Sequence, residues 1–134
     1  MSTILIVDDD DAIRETLYDL LSDRYECQTA GMAEEALQYL AIQTYDAVLT
    51  DIAMPGLTGL ELLLRVHQKN SATPVILMSG KGTEQDGDAL IRMGAFAYVT
   101  KPFSLDQIEL VVERAVEQKV FVRTLEEKGL KKVD

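Results

Sequence analysis

The chain has 134 residues, 13 basic and 23 acidic, and its formal net charge of −10 makes it a poor match for a nucleic-acid phosphate backbone. A hydrophobic content of 47% with only three prolines is that of one folded domain and not of a disordered chain. No apolar run approaches the ~20 residues that span a bilayer, and no secretory leader follows Met1, so we expect a cytoplasmic protein without a membrane segment.

Five short apolar runs with strand character alternate with segments of helical periodicity. The strands are predicted over residues 3–8, 26–30, 46–51, 73–79 and 95–100. Helices are predicted over residues 13–21, 33–40, 60–66 and 84–93, and a fifth begins after Ser104 as its N-cap. We expect Gly94 to end the fourth helix. This alternation favours an α/β fold in which helices cover both faces of a doubly wound parallel sheet.

Unusual polar residues stand at the points where the predicted strands end. Asp8 and Asp9 follow the first strand, Asp51 ends the third, Ser79 ends the fourth, and Lys101 follows the fifth. In a doubly wound sheet the ligand site lies beyond the carboxyl ends of the strands. The sequence therefore predicts a polar functional site that contains these side chains.

The four consecutive aspartates from Asp8 to Asp11 pose an electrostatic problem. Two carboxylates ~4 Å apart repel each other by about 4 kcal/mol at an effective dielectric constant of 20. Asp10 or Asp11 can cap the first helix, beside the positive end of its dipole. The carboxylates of Asp8, Asp9 and Asp51 would form a hard oxygen site that suits Mg²⁺, and a cation there would remove the repulsion.

Two further side chains at the same edge favour phosphoryl chemistry. Lys101 brings a positive charge and Ser79 a hydroxyl donor, and such groups stabilise a phosphoryl group during its transfer. A carboxylate in this setting can act as a nucleophile and form an aspartyl phosphate. Asp51 is the natural nucleophile, because the segment DIAMPG places it before a turn at Pro55 and Gly56.

The segments VDDD, DIAMPG, ILMSG and GAFAYVTKPF, in this order and at these separations, resemble the receiver domain of bacterial two-component response regulators. The resemblance covers residues 3 to about 118. It implies a flavodoxin-like fold, in which a five-stranded parallel sheet of order 2-1-3-4-5 is flanked by five helices. It also implies a phosphoprotein of a phosphorelay, which a sensor histidine kinase phosphorylates. Such a protein is a switch and not an enzyme, although it assists its own phosphorylation and dephosphorylation.

The same resemblance implies the residues that hold the phosphoryl group and the metal. Asp51 would accept the phosphoryl group. Asp9, Asp51 and the backbone carbonyl of Ala53 would bind Mg²⁺ directly, and Asp8 would hold the ion through water.

The resemblance also implies how phosphorylation changes the surface. Lys101 would pair with the phosphoryl oxygens, positioned by a cis peptide bond to Pro102. Ser79 would move towards the phosphate, and the aromatic side chain of Tyr98 would change its burial with it. These movements would alter a surface on helix four, strand five and helix five, through which the protein would signal or form a homodimer.

Four residues depart from the usual pattern of this family or tune it. Gly87 and Asp88 fall in the fourth helix at places usually held by apolar or helix-forming residues, so we expect this helix to be loosely formed or re-registered without phosphate. Ala53 and Lys81 stand two residues after Asp51 and Ser79, where the family sets the phosphate lifetime. Because alanine has no polar group to orient an attacking water, we expect a long-lived phosphoryl group.

The last helix continues beyond what the core needs. We expect a receiver domain over residues 1–118, and over 119–134 an extension of the last helix and a tail that form a linker to an effector domain. A long last helix with a frayed end is the alternative. The sequence is similar here to receivers of the nitrogen-regulation type, which precede an ATPase and a DNA-binding module. The extension could also mediate a homodimer.

Three other functions compete with this interpretation. A phosphatase of the haloacid dehalogenase type would use Asp8 as nucleophile and Asp10 as general acid, but it needs a further acidic pair after Lys101. A flavodoxin-like cofactor binder would need a phosphate loop where the aspartates stand. A non-phosphorylated interaction module would not need the complete set of acidic residues and lysine.

Overall fold

The computed structural model describes residues 1–80 and 87–129. The elements in chain order are β1 Thr3–Val7, α1 Asp11–Leu21, β2 Glu26–Ala30, α2 Ala33–Ile42, β3 Ala47–Asp51, α3 Gly59–Lys69, β4 Val75–Ser79, α4 Gly87–Arg92, β5 Ala97–Thr100 and α5 Leu105–Glu127. The predicted alternation of strands and helices is confirmed. Residues 84–86 of the predicted fourth helix and Lys81 lie outside the described residues.

The five strands form one parallel sheet in the order β2-β1-β3-β4-β5. This confirms the doubly wound, flavodoxin-like α/β fold. Asp51 at the end of β3 is aligned with Met78 in β4, and Ser79 at the end of β4 is aligned with Thr100 in β5. The carboxyl ends of the central strands therefore meet at one edge of the sheet.

Helices cover both faces of the sheet and enclose two hydrophobic clusters. On one face α2, α3 and α4 pack against the strands through Ala33, Ala36, Leu62, Leu63, Val66 and Leu90. On the other face α1 and α5 pack through Leu17, Leu21, Ile108, Val112 and Ala115. Since each fully buried aliphatic side chain contributes about 1.5–3 kcal/mol, these two layers hold the strand ends in a fixed register.

Two helix ends confirm expectations from the sequence. The Ser104 hydroxyl accepts a hydrogen bond from the Gln107 backbone N–H at 3.1 Å and caps α5. Gly94 follows α4 with φ of +111°, and the next residue, Ala95, donates its N–H to the Leu90 carbonyl at 3.1 Å. A residue with a Cβ would be strained at this φ, so the glycine ends the helix and turns the chain into β5.

Helix α5 is longer than the sheet that it covers. It runs without a break to Glu127, Val122 is buried, and Arg123 lies 3.4 Å from the carboxylate of Asp46 beside β3. Packing against the domain therefore continues at least to Arg123. Neither α5 nor any other helix in the described ranges has the combination of length and apolarity that crossing a membrane requires.

Candidate functional site

Three carboxylates meet where β1 and β3 end. Val7 is aligned with Thr50, so Asp8 and Asp51, the next residue on each strand, come level at the same edge. One carboxylate oxygen from each of Asp8, Asp9 and Asp51 lies within 4.8 Å of the others. Asp8 is fully buried and Asp51 is only 5% exposed, whereas Asp9 is exposed. The cluster is thus embedded in the domain and reaches solvent at Asp9.

Lys101 brings its ammonium group between two of these carboxylates. Its Nζ lies 3.0 Å from Asp8 Oδ2 and 3.3 Å from Asp51 Oδ2. Its backbone N–H donates to the carbonyl of Ser79 at 2.8 Å, and its peptide bond to Pro102 is cis. The lysine that was predicted from the end of the fifth strand therefore reaches the aspartates at the ends of the first and third.

The electrostatics of the site favour the binding of a further cation. Burial and the negative charge of Asp8 raise the pKa of Asp51, and the charge of Lys101 opposes this only in part. Burial alone would lower the pKa of Lys101, but its hydrogen bond to Asp8 and the nearby carboxylates raise it. Lys101 therefore stays charged while the acidic cluster remains under-compensated. The carboxylates of Asp8, Asp9 and Asp51 offer three hard oxygen donors with excess negative charge, a combination that fits Mg²⁺.

The four consecutive aspartates have different roles. Asp8 accepts the backbone N–H of Asp10 at 2.9 Å as well as the ammonium of Lys101. Asp10 caps α1 by accepting two backbone N–H groups of its first turn, at 2.9 and 3.2 Å. Asp11 forms an ion pair with Arg14. The charges of Asp10 and Asp11 are thus offset within the chain, and Asp9 is the member of the carboxylate cluster that is exposed to solvent.

Arg14 is a site residue that the sequence reasoning missed. Its Nη1 donates to the backbone carbonyl of Asp8 at 2.7 Å while its other terminal nitrogen pairs with Asp11. The guanidinium therefore holds the loop that carries Asp8 and Asp9. The sequence signal was the spacing of Asp11 and Arg14, since residues three apart share one face of a helix.

Gly59 is a second residue that the sequence reasoning missed. It begins α3 and donates its N–H to the carbonyl of Ile52 at 2.8 Å. A Cβ at this position would lie 2.1 Å from the backbone oxygen of Asp51. The helix thus packs directly on the backbone that presents the Asp51 carboxylate, at a distance that only glycine permits.

The three other predicted residues lie close to this edge. Ser79 ends β4 and is 8% exposed, and Ala53 is exposed in the loop after β3. Tyr98 is aligned with Leu77, two residues before Ser79, so Tyr98 and Ser79 lie on the same face of the sheet. Tyr98 is 44% exposed, and we call this partly exposed position of its side chain outward.

With this geometry in place, comparison with known proteins decides the family. Residues 4–113 match the family model described as response regulator receiver domain. The chain belongs to this family. The resemblance expected from the sequence is therefore confirmed, and with it the conclusion that the domain is a signalling switch of two-component systems.

Individual relatives support the nitrogen-regulation subtype. The chain is 38% identical over 114 residues to the DNA-binding transcriptional regulator NtrC of Escherichia coli K12, covering 84% of this chain and 24% of NtrC. It is 36% identical over 117 residues to the nitrogen assimilation regulatory protein NtrX of Azorhizobium caulinodans, covering 85% of this chain and 26% of NtrX. The chain thus spans about a quarter of the length of these curated relatives.

Solved structures agree with this placement. The receiver domain of NtrX from Brucella abortus has a TM-score of 0.80 and 38% identity, covering 85% of this chain and 98% of that one. A receiver domain protein from Clostridium thermocellum has a TM-score of 0.85 and 27% identity, covering 91% of this chain and 99% of that one.

Proposed function

We propose that this receiver domain accepts a phosphoryl group on Asp51 from the phosphohistidine of a sensor histidine kinase. The observation that carries the proposal is the position of the Asp51 carboxylate. It is buried at a strand end, 3.3 Å from the Lys101 ammonium and within 4.8 Å of the Asp8 and Asp9 carboxylates. A pKa raised by burial and by Asp8 indicates an anion that its surroundings stabilise poorly, as expected of a nucleophile.

The reaction is a transfer of the phosphoryl group between two side chains. A carboxylate oxygen of Asp51 forms a bond to phosphorus while the bond from phosphorus to the imidazole nitrogen of the kinase breaks. The leaving nitrogen keeps the electron pair of the broken bond, and the imidazole departs neutral with one proton on its ring, which it already carries on the other nitrogen or takes from solvent. The Lys101 ammonium lies between Asp8 and Asp51, beside the oxygen that would bind phosphorus. It would therefore stabilise the negative charge on the phosphoryl oxygens during the transfer.

We propose that Mg²⁺ is the cofactor and that its ligands are Asp9, Asp51 and the backbone carbonyl of Ala53, with Asp8 acting through water. The ion would supply positive charge that screens the carboxylates and the incoming phosphoryl oxygens. The cluster of Asp8, Asp9 and Asp51 favours this ion, since its donors are all carboxylate oxygens and neither cysteine nor histidine is among them. Asp8 also keeps its hydrogen bonds to Lys101 and to the backbone of Asp10.

The product of the reaction is a changed surface. The acyl phosphate would attract the hydroxyl of Ser79, and the space that this residue leaves on its face of the sheet would admit the ring of Tyr98. We propose that the affected surface of α4, β5 and α5 is read by a partner or by a second copy of the chain. Residues 1–118 would form the switch and residues 119–134 the linker to an effector domain, and the effector would carry any DNA binding.

The phosphatase alternative has less support from the site. It requires Asp10 as a general acid, but the Asp10 carboxylate accepts two backbone N–H groups at the start of α1. The carboxylate is thereby engaged as the cap of α1, and it is poorly placed to serve as a general acid.

Intact-protein mass spectrometry after incubation with acetyl phosphate and Mg²⁺ tests the proposal. We expect the wild type and the control Asp23→Asn, at an exposed position in the turn after α1, to gain one phosphoryl group only when Mg²⁺ is present. Asp51→Asn should gain none. Steady release of phosphate without a mass gain would indicate a phosphatase that uses Asp8. Neither gain nor release would indicate an interaction module that is not phosphorylated.

A further inference from the structure

The ring of Tyr98 occupies the space that the side chain of residue 87 would fill if this residue were not glycine. A Cβ at Gly87, the first residue of α4, would be 2.0 Å from Cζ of Tyr98, 2.2 Å from its hydroxyl oxygen and 2.3 Å from Cε1. All three atoms belong to the far end of the ring. The glycine that departs from the family's helix-forming pattern is thus the residue on which the outward Tyr98 side chain rests.

The surroundings determine which partner would move if Gly87 carried a side chain. The backbone on both sides of the contact is anchored, because Tyr98 lies in the β4–β5 ladder opposite Leu77, and Leu90 of α4 is buried in the core. The ring of Tyr98, in contrast, is 44% exposed and can rotate. A methyl group at position 87 would therefore displace the ring and leave the sheet and the core side of α4 in place.

We propose that Gly87 is a positioning residue that holds Tyr98 outward and thereby stabilises the unphosphorylated state of the switch. The inference rests on the proposed function and names a regulatory element of the same site. It gives the glycine a role that its low helix propensity would otherwise leave unexplained.

The direction of the effect follows from population shift. The contact between the ring and Gly87 exists only while Tyr98 is outward, so its loss raises the free energy of the outward state and leaves the inward state unchanged. The fraction of molecules ready to bind a phosphoryl group then rises, and the apparent dissociation constant of a phosphoryl mimic falls in proportion. This holds wherever the displaced ring goes within the outward state.

A double-mutant cycle with beryllofluoride, a non-covalent mimic of the phosphoryl group, tests the proposal at saturating Mg²⁺. We expect Gly87→Ala to lower the dissociation constant at least about fivefold, which corresponds to the lower end of the usual cost of overpacking, about 1 kcal/mol. In the Tyr98→Ala background the same substitution meets no ring, so its effect should stay within about twofold. The cycle cancels the gain in helix propensity, because that gain is present in both backgrounds.

The Tyr98 ring resonances provide a second measurement, because the direction of their shift separates a change towards the inward state from a local displacement of the ring by the methyl group. In unphosphorylated Gly87→Ala they should shift towards their positions in the beryllofluoride complex of the wild type. An equal gain in affinity in both backgrounds would overturn the proposal, because the glycine would then act through α4 alone. Unchanged affinity and unchanged resonances in Gly87→Ala would also overturn it while leaving the proposed function intact. A wild type that neither binds beryllofluoride nor gains a phosphoryl group would refute the proposed function and this inference with it.

Discussion

Substitution of Gly59 by alanine is expected to damage the site although Gly59 carries no side chain. A Cβ there would lie 2.1 Å from the backbone oxygen of Asp51, 2.8 Å from the Cα of Ile52 and 2.9 Å from the carbonyl carbon of Asp51. All three neighbours are backbone atoms, and none can rotate away. Restoring a separation of 3.0 Å from the oxygen requires a movement of about 0.9 Å between α3 and the end of β3.

Such a movement has two measurable consequences. Overpacking of this size costs about 1–3 kcal/mol, which lowers the Tm by at least about 3 °C in a domain of this length. Because a misplacement of ~1 Å can cost about 10²-fold in rate, phosphorylation by acetyl phosphate should slow by up to that factor. Thermal melts followed by circular dichroism and a time course of intact mass measure the two effects separately.

The matched control is Gly31→Ala at the end of β2. A Cβ at Gly31 would meet the guanidinium of Arg14 at 3.5 Å, which is ordinary van der Waals contact, so stability and rate should stay near those of the wild type. If Gly59→Ala behaved like Gly31→Ala in both assays, the argument that α3 fixes the Asp51 backbone would be wrong.

Three further substitutions or measurements test other parts of the site and the core. Arg14→Ala should raise the dissociation constant for Mg²⁺ about tenfold in calorimetric titrations, because the tether on the Asp8 carbonyl is lost; an unchanged constant would contradict this role. Asp10→Ala should cost about 0.5–2 kcal/mol in denaturant unfolding and Asp10→Asn much less, since asparagine keeps the cap; equal losses would refute capping. Burial raises the pKa of Cys27 from 9.0 to about 11, so its thiolate fraction at pH 8 should be about a hundredfold lower than in an unfolded chain. Alkylation should therefore accelerate tenfold for each pH unit up to about 11, and a plateau near pH 9 would contradict this.

The sequence predicted those parts of the site that follow from topology. Once the strands are parallel and central, their carboxyl ends share one edge, and Asp8, Asp51 and Lys101 must come together there. The helix caps at Ser104 and Gly94 were predictable for a similar reason, because capping depends on residues close in the chain.

The contacts that the sequence did not predict are close approaches between a glycine backbone and another part of the chain. Gly59 touches Asp51 because of the path of the intervening loop, and Tyr98 covers Gly87 because β5 lies beside α4. Neither contact has a periodicity or a charge pattern that could be read beforehand. The same glycine at position 87 suggested a loosely formed helix when only its propensity was considered. Its contact with Tyr98 provides a second reason for its presence, and the prediction about loose structure stays to be tested by hydrogen exchange.

The acidic edge also explains why this domain keeps an arrangement that works against its own stability. Burial and Asp8 raise the pKa of Asp51, so the folded state binds a proton at this residue more readily than the unfolded state does. Stability from this group is therefore present at low pH and is lost as the pH rises from the unfolded pKa through the folded one. Replacing Asp51 by a neutral residue would remove this cost to stability at neutral pH. It would also remove a buried carboxylate that, among the described residues, forms its ion pair with Lys101 alone. The unfavourable environment that weakens the fold is the one that would make this oxygen reactive in the proposed transfer. It also leaves the site short of positive charge, so the proposed reactivity and the proposed affinity for a cation would have the same physical origin.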